Sequence, residues 1–265
     1  MKIIDAHTHV FPDKLAERSS ESIGKFYGLD WYSPASVSAL LESGKKINAC
    51  HYLVCSSALS PTQTEHINNY MASLISEHKE FTALGTIHPE NDNFKGELRR
   101  VKSLGLKGIK IHSDFQKFKI DDERMLPAYR EMARLGLPVL IHMGDERYDY
   151  SRPIYLASLM KKVPDLVCIA AHFGGWCRWD EAYEVLIPSE RLYFDTSSAL
   201  MRLNKDDAKR MIEKFGVDRF MFGTDFPIWE PTAEVQRVLD LGLTESENEK
   251  VFSGNFMKLF GLDEV

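Results

Sequence analysis

Eight short apolar runs recur along the chain, each followed by a loop and an amphipathic segment before the next run begins. The runs fall at residues 2–5, 49–55, 81–87, 108–112, 138–142, 166–170, 192–195 and 220–222. Helical candidates follow at 34–43, 62–78, 93–104, 122–135, 152–162, 179–186, 204–215 and 232–241. In 122–135, Met125, Leu126, Tyr129, Met132 and Ala133 share one helical face, Gly136 can cap it, and Pro138 opens the next run. Strands that alternate with helices pack as a parallel sheet, because parallel neighbours need a long crossover. Eight such units in 265 residues suffice to close the sheet on itself. An open doubly wound sheet usually carries a Gly-rich phosphate turn after its first strand. Here the first run leads into His7, Thr8, His9 and Pro12. The expected fold is α/β, a (β/α)8 TIM barrel in a single domain over residues 1–265. Residues 245–260 add two short C-terminal helices, with Gly254 and Asn255 as the turn or cap between them. Asn255 reads as a structural residue that closes the barrel.

Composition excludes several classes of partner. The 33 basic and 39 acidic residues leave a net charge of −6. No basic stripe offers itself to nucleic acid. No apolar run approaches the ~18 residues of a membrane span, and the first residues lack a signal-peptide core. Cys50, Cys55, Cys168 and Cys177 form no Cys-x-x-Cys pair. They read as reduced, structural thiols, which fits a cytoplasmic protein. The expected partner is a small-molecule substrate, and self-association into a homo-oligomer stays open.

The polar residues cluster where a barrel does its chemistry, at the C-terminal ends of the strands. The first run ends in His7 and His9, the fourth in Lys110 and His112, the fifth in His142, the sixth in His172, the seventh in Asp195 and the eighth in Asp225. Residues i and i+2 of a strand face the same way, ~6.5–7 Å apart, so His7 and His9 can converge on one ion. Five of the chain's nine histidines thus fall on one rim. Imidazole and carboxylate are the donors that a divalent metal such as zinc takes. A water on that metal becomes acidic enough to supply hydroxide near neutrality.

The motifs Asp5-x-His7-x-His9-x-Phe11-Pro12, the strand-five His142, His172-Phe-Gly-Gly, Gly223-Thr-Asp225-Phe-Pro and Gly254-Asn255-x-x-Lys-Leu-Phe resemble the amidohydrolase superfamily. They are most similar to its amidohydrolase-related branch of decarboxylases and lactonases. The resemblance runs in order from the first strand to residue 260. It implies one divalent metal ion, zinc or else manganese, held by His7, His9, His142 and Asp225. It makes Asp225 the proton shuttle and His172 the residue that orients water or substrate. A carboxylated lysine bridges two metals in some members of the superfamily. Lys110 lies on the matching strand, but contact with an internal carboxylate such as Asp5 is the expectation here.

The substrate side is read from chemistry alone. His112, Lys110 and Arg147 are candidate substrate contacts. Arg147, Arg178 and Arg202 sit in loops after three late strands, where a guanidinium can grip a carboxylate with two bonds. Trp31, Trp176 and Trp179 are candidates for an apolar lid, and the stretch 11–31 is long enough to fold over the pocket. The first reading is a metal-dependent hydrolase acting on an ester, lactone or amide. The alternative keeps the site and changes the reaction, to non-oxidative decarboxylation of an aromatic or muconate-like acid.

Overall fold

The computed structural model describes residues 1–263. Its strands are β1 (Ile3–His9), β2 (Ala49–Cys55), β3 (Phe81–Ala83), β4 (Gly85–Thr86), β5 (Ile109–Ile111), β6 (Val139–Ile141), β7 (Cys168–Ala170), β8 (Leu192–Asp195) and β9 (Phe220–Met221). Every pairing is parallel. One ladder runs β1-β2-β3 and another β4 through β9. The two join through the run 81–87, which is a single stave interrupted at Leu84. Leu84 N–H still donates to Val54 O at 3.0 Å, while Ala83 O accepts from Lys107 N–H at 2.9 Å on the other side. At the far seam Ala6 N–H donates to Phe222 O and His9 N–H to Phe226 O, both at 2.8 Å. Thr8 and Phe226 also pair as an isolated parallel bridge. The sheet is therefore the closed eight-stave barrel that the sequence pattern predicts.

Side-chain alternation divides the apolar residues into two layers. Ile109, Ile111, Val139 and Ile141 pack outward against helix residues such as Met71, Leu98 and Met132. Leu53, Leu84, Leu140, Ile169 and Met221 fill the barrel with Ile4 and Ala6. Phe256 and Phe260 join this inner cluster, so the last helix, Asn255–Phe260, plugs the end of the barrel remote from the strand C-termini. Gly254 and Asn255 make no turn, contrary to expectation. Both keep right-handed helical backbone, because a π-helical segment at Lys250–Gly254 links the two short helices. Asn255 is buried, and its amide donates to Val217 O at 2.8 Å and Phe220 O at 2.7 Å. Asn255→Ala would strand both acceptors. We expect a loss of about 2 kcal/mol, a fall in Tm of roughly 4–8 °C by thermal denaturation, and no direct effect on the opposite rim.

Most of the stretch 11–31, expected only as a cover over the pocket, is a helix. This helix, α1 (Asp13–Tyr27), ends where Gly28 adopts φ 65° and its N–H bonds Gly24 O, a left-handed cap that glycine tolerates best. Its small residues Ala16, Ser20 and Gly24 are buried at i, i+4 and i+8, which lets the helix lie close to the barrel. Ser20 accepts from Ala35 N–H at 2.9 Å and donates to Ala16 O at 3.1 Å. A Cβ at Gly24 would come within 2.7 Å of both Leu29 O and the Trp31 ring. No helix among the described residues is long and apolar enough to cross a membrane.

Candidate active site

A register slip in β1 aims the first two histidines. Asp5 pairs with Tyr52 but Thr8 with Val54, so β1 carries one extra residue between them. Before the slip Ile4 and Ala6 belong to the barrel interior. After it the odd-numbered residues point inward, as bulges next to active sites often arrange. His7 and His9 then stand edge to face with ring centroids 5.0 Å apart. Asp225 comes across from the end of the last stave. Its Oδ1 is 3.3 Å from His9 Nε2 and 3.7 Å from His7 Nε2.

Asp195, Ser197 and Lys110 fix His7. Its Nδ1 lies 2.9 Å from Asp195 Oδ2 and 3.0 Å from Ser197 Oγ. Its Nε2 lies 3.0 Å from the ammonium of Lys110. Burial, and then the charge of Lys110, push the His7 imidazole down to about 4, so it is neutral near pH 7. Burial likewise opposes ionisation of Asp195. The neighbouring His7, then His172 and Ser197, outweigh it and hold the carboxyl at about 2. Asp225 follows the same logic: burial raises it, but the bond to His9 and the fields of His7 and His172 hold it well below the usual carboxylate range. His9 is the reverse case. Burial alone would lower it, and Cys55 with Asp225 raise it to about 9.

His142 and His172 extend the cluster. His172 Nε2 meets His142 Nδ1 at 2.9 Å, and the His172 ring stacks on His7 with centroids 5.2 Å apart. His172 Nδ1 faces Ser197 O at 2.9 Å. A carbonyl only accepts, so His172 carries its proton on Nδ1 and leaves Nε2 to accept. His142 stacks on His112 at 4.0 Å, and burial, followed by the neighbouring imidazoles and Lys110, pushes both well below their ordinary value. Tyr27, from the end of α1, places its hydroxyl 2.8 Å from His112 Nε2 and 3.2 Å from His142 Nε2. His142 thus reaches His7 through His172 rather than directly.

The backbone around these groups is unusual. His172 and Asp225 both have φ 60°, and Ser198 has φ 55°. Left-handed backbone in non-glycine residues is uncommon and gathers at functional sites. Ser198 Oγ donates to Asp225 Oδ2 and accepts from Trp229 Nε1–H at 2.7 Å. Asp5 serves the turn before Asp225: its carboxylate accepts from Thr224 N–H at 2.9 Å and Thr224 Oγ1–H at 2.6 Å.

A cavity of about 520 Å³ opens above this cluster, bordered by His9, His112, His142, His172 and Asp225. Its remaining wall is largely apolar, with Phe11, Leu15, Ile23, Phe26, Phe115, Trp176 and Ile228. The expectations for the late-loop arginines, for Lys110 and for two of the three tryptophans need correction. Arg147 is not among the lining residues. Its guanidinium bonds both carboxylate oxygens of Asp145, at 3.0 and 2.6 Å, bonds Phe26 O, and lies over the Phe26 and Tyr27 rings. It therefore ties α1 to the barrel. Lys110 points inward as expected, but it does not line the cavity; its ammonium meets His7 and not Asp5, whose carboxylate is taken up by Thr224. Arg178 bonds Asp145 O and Glu146 O, and Arg202 bonds Cys177 Sγ over the Trp176 ring. Of the three tryptophans only Trp176 lines the cavity; Trp179 bonds His172 O at 2.9 Å and Trp31 packs beneath α1. Tyr27, Ser197 and Ser198 escaped sequence reading altogether.

The donor set suits a divalent metal. Among the described residues, His7–His9–Cys55, His7–His172–Asp195 and His112–Asp114–His142 each bring three donor atoms within 4.8 Å. His7 and His142 are held neutral and Asp225 ionised, as such an ion requires, while His9 would give up its proton on binding one. Asp114 is buried with both carboxylate oxygens unbonded, 3.9 Å from His142 Nε2 at the nearer one.

A sequence model of the amidohydrolase family matches residues 4–262, and the chain belongs to that family. It is 25% identical over 240 residues to the 2-amino-3-carboxymuconate-6-semialdehyde decarboxylase of Dictyostelium discoideum. That match covers 75% of this chain and 66% of the relative, so it spans just under two thirds of the relative's length. An uncharacterized TIM-barrel protein of Bordetella bronchiseptica superposes with a TM-score of 0.81 at 18% identity, covering 98% of this chain and 99% of its own. A probable 2-pyrone-4,6-dicarboxylic acid hydrolase of Acinetobacter baumannii superposes with a TM-score of 0.73 at 17% identity, covering 99% and 100%. The family's relatives are enzymes, decarboxylases and hydrolases both, and the shared fold is the α/β barrel.

Proposed function

We propose that this protein is a metal-dependent, non-oxidative decarboxylase of a small unsaturated or aromatic acid. The observation that carries the reading is the likeness to a decarboxylase at 25% identity over 240 residues. The hydrolase that shares the fold does so at 17% identity, where likeness speaks for architecture and not for reaction. Hydrolysis, the first reading of the sequence, therefore takes second place.

His7, His9, His142 and Asp225 would hold one divalent ion, zinc or manganese. When bound, it supplies Lewis acidity toward the substrate's oxygens. The chain's own groups do the rest. The apolar wall of Phe11, Ile23, Phe115 and Trp176 favours loss of charge, since a carboxylate gives up more solvation on entering it than neutral carbon dioxide does. As the bond from carbon to the carboxylate breaks, the electron pair stays on carbon. A proton must reach that carbon. His172 and Asp225 both border the cavity; the ionised Asp225 would take a proton from a water that reaches the cavity and pass it to the carbon, leaving hydroxide to be neutralised from solvent, while His172 orients that water. Tyr27 closes the site with a hydroxyl shared between His112 and His142.

The test is isotopic. Metal-loaded protein is offered carboxylated muconate semialdehydes and hydroxybenzoates in deuterium oxide. One carbon dioxide per turnover and one deuterium on the carbon left behind are expected. Label from heavy-oxygen water in a new carboxyl group, without carbon dioxide, would return hydrolysis to first place.

A further inference from the structure

α1 turns one face to the cavity and not to the core. Leu15, Arg18, Ser19, Ser22, Ile23 and Phe26 all line it, at spacings of three and four that define a single helical stripe. The stripe is apolar or hydroxylic except for Arg18. No hydrogen bond or ion pair joins the Arg18 guanidinium to any described residue, although its charge reaches Glu21 one turn further along the helix. The arginines of the late loops are all committed elsewhere: Arg147 to Asp145, Arg178 to backbone carbonyls and Glu181, Arg202 to Cys177 and Trp176. Among the described residues Arg18 is thus the one arginine that borders the cavity, and its fork of donors makes no hydrogen bond.

We propose that Arg18 is a specificity-determining residue that receives an anionic group of the substrate remote from the reacting carbon, so that the preferred substrate is a diacid. This rests on the decarboxylase reading for the fate of one carboxylate and adds a second. Ser19 lines the cavity next to Arg18 and its hydroxyl bonds no described residue, so it is free to donate to the same anion. Gln63, across the mouth, uses its amide oxygen to accept from Leu59 N–H at 2.8 Å, which leaves its NH2 for an acceptor. Tyr27, nine residues beyond Arg18 on the same helix, bonds His112 and His142, so Arg18 borders the cavity away from the end of the helix that meets those histidines. A planar guanidinium suits a carboxylate because two parallel bonds form at once.

Binding, read apart from turnover, tests this. Isophthalate and benzoate are titrated into the metal-loaded protein by calorimetry, against wild type, Arg18→Gln and Arg18→Lys. The expected result is a preference of at least about tenfold for isophthalate in wild type, the scale of a charge-assisted hydrogen bond. It should vanish in Arg18→Gln, partly return in Arg18→Lys and shrink with added salt, while Tm stays unchanged because Arg18 is exposed. No preference in wild type, or a preference that survives in Arg18→Gln, would overturn the assignment. Neither readout needs a reaction, so a failed decarboxylation assay and a failed anion site are told apart.

Discussion

Replacing Asp225 with asparagine is expected to lower kcat by about 10²–10⁴-fold, the range for losing a positioned acid–base group, and to deplete the protein of its divalent metal. The substitution isolates charge from shape. Asp225 sits at φ 60°, a left-handed conformation that asparagine also adopts with little strain, so the turn after the last stave keeps its course. Ser198 Oγ can still donate to the amide oxygen, and Trp229 can still support Ser198. What goes is the negative charge beside His7 and His9. In wild type that charge is secured because the His9 bond and the fields of His7 and His172 overcome the burial that opposes it. The amide offers one weak acceptor where the carboxylate offered an ionised donor set. Steady-state kinetics and elemental analysis of the purified variant check both halves. A variant that keeps its metal and works within threefold of wild type would remove Asp225 from the proposed centre. Ser198→Ala is the graded companion. It leaves the charge and removes its orienting bond, and a loss of about 10–100-fold is the usual scale for such a supporting contact.

How much of this centre was legible in the sequence depends on what each residue needed. The barrel was readable because it rests on periodicity. Runs of three to seven apolar residues alternate with helical stripes, and each run became a stave, even 81–87, where the ladder changes partners at Leu84. The inward aim of Lys110 followed from the outward aim of Ile109 and Ile111. The His7–His9 pairing was readable for an incomplete reason. Alternation puts the two on one face, but it is the extra residue between Asp5 and Thr8 that turns that face toward Asp225, and a bulge leaves no mark in the residue types. α1 was obscured because its stripe faces a cavity. Arg18, Ser19 and Ser22 interrupt the apolar pattern that a core-facing helix would show, although Gly28 after Tyr27 was a usable stop signal. Tyr27 could not be found at all, since its role arises only where the helix end meets His112 and His142. Arg147 misled for the complementary reason: a loop arginine near the rim has a carboxylate two residues away, and Asp145 takes it.

The largest expected loss of stability from one methyl group is at Gly144, in the loop that follows the strand bearing His142. Gly144 has φ 87°, and a Cβ there would lie 2.3 Å from Gly175 C, 2.5 Å from Trp176 N and 2.6 Å from Gly175 O. All three obstacles are backbone, so no rotamer change relieves them. Two loops must separate, and one of them is the turn that carries His172 at φ 60° and Phe173 at φ 54°. Gly144→Ala therefore costs twice, once for the left-handed backbone and once for overpacking. Together these come to about 3 kcal/mol, or a fall in Tm of roughly 6–12 °C. Activity should fall further than stability explains. Moving the 172–176 segment shifts His172 from His142 Nδ1 and Trp176 from the cavity wall, and a displacement near 1 Å at a reacting centre costs about 10²-fold. Gly136→Ala is the matched control. It too has positive φ, at 68°, but its Cβ would meet nothing within 4 Å. That variant should lose only the backbone share, about 1 kcal/mol, and keep its kcat. Equal losses of Tm in the two variants would mean that the loops part without resistance, and full activity in Gly144→Ala would mean that the placement of His172 does not depend on the contact.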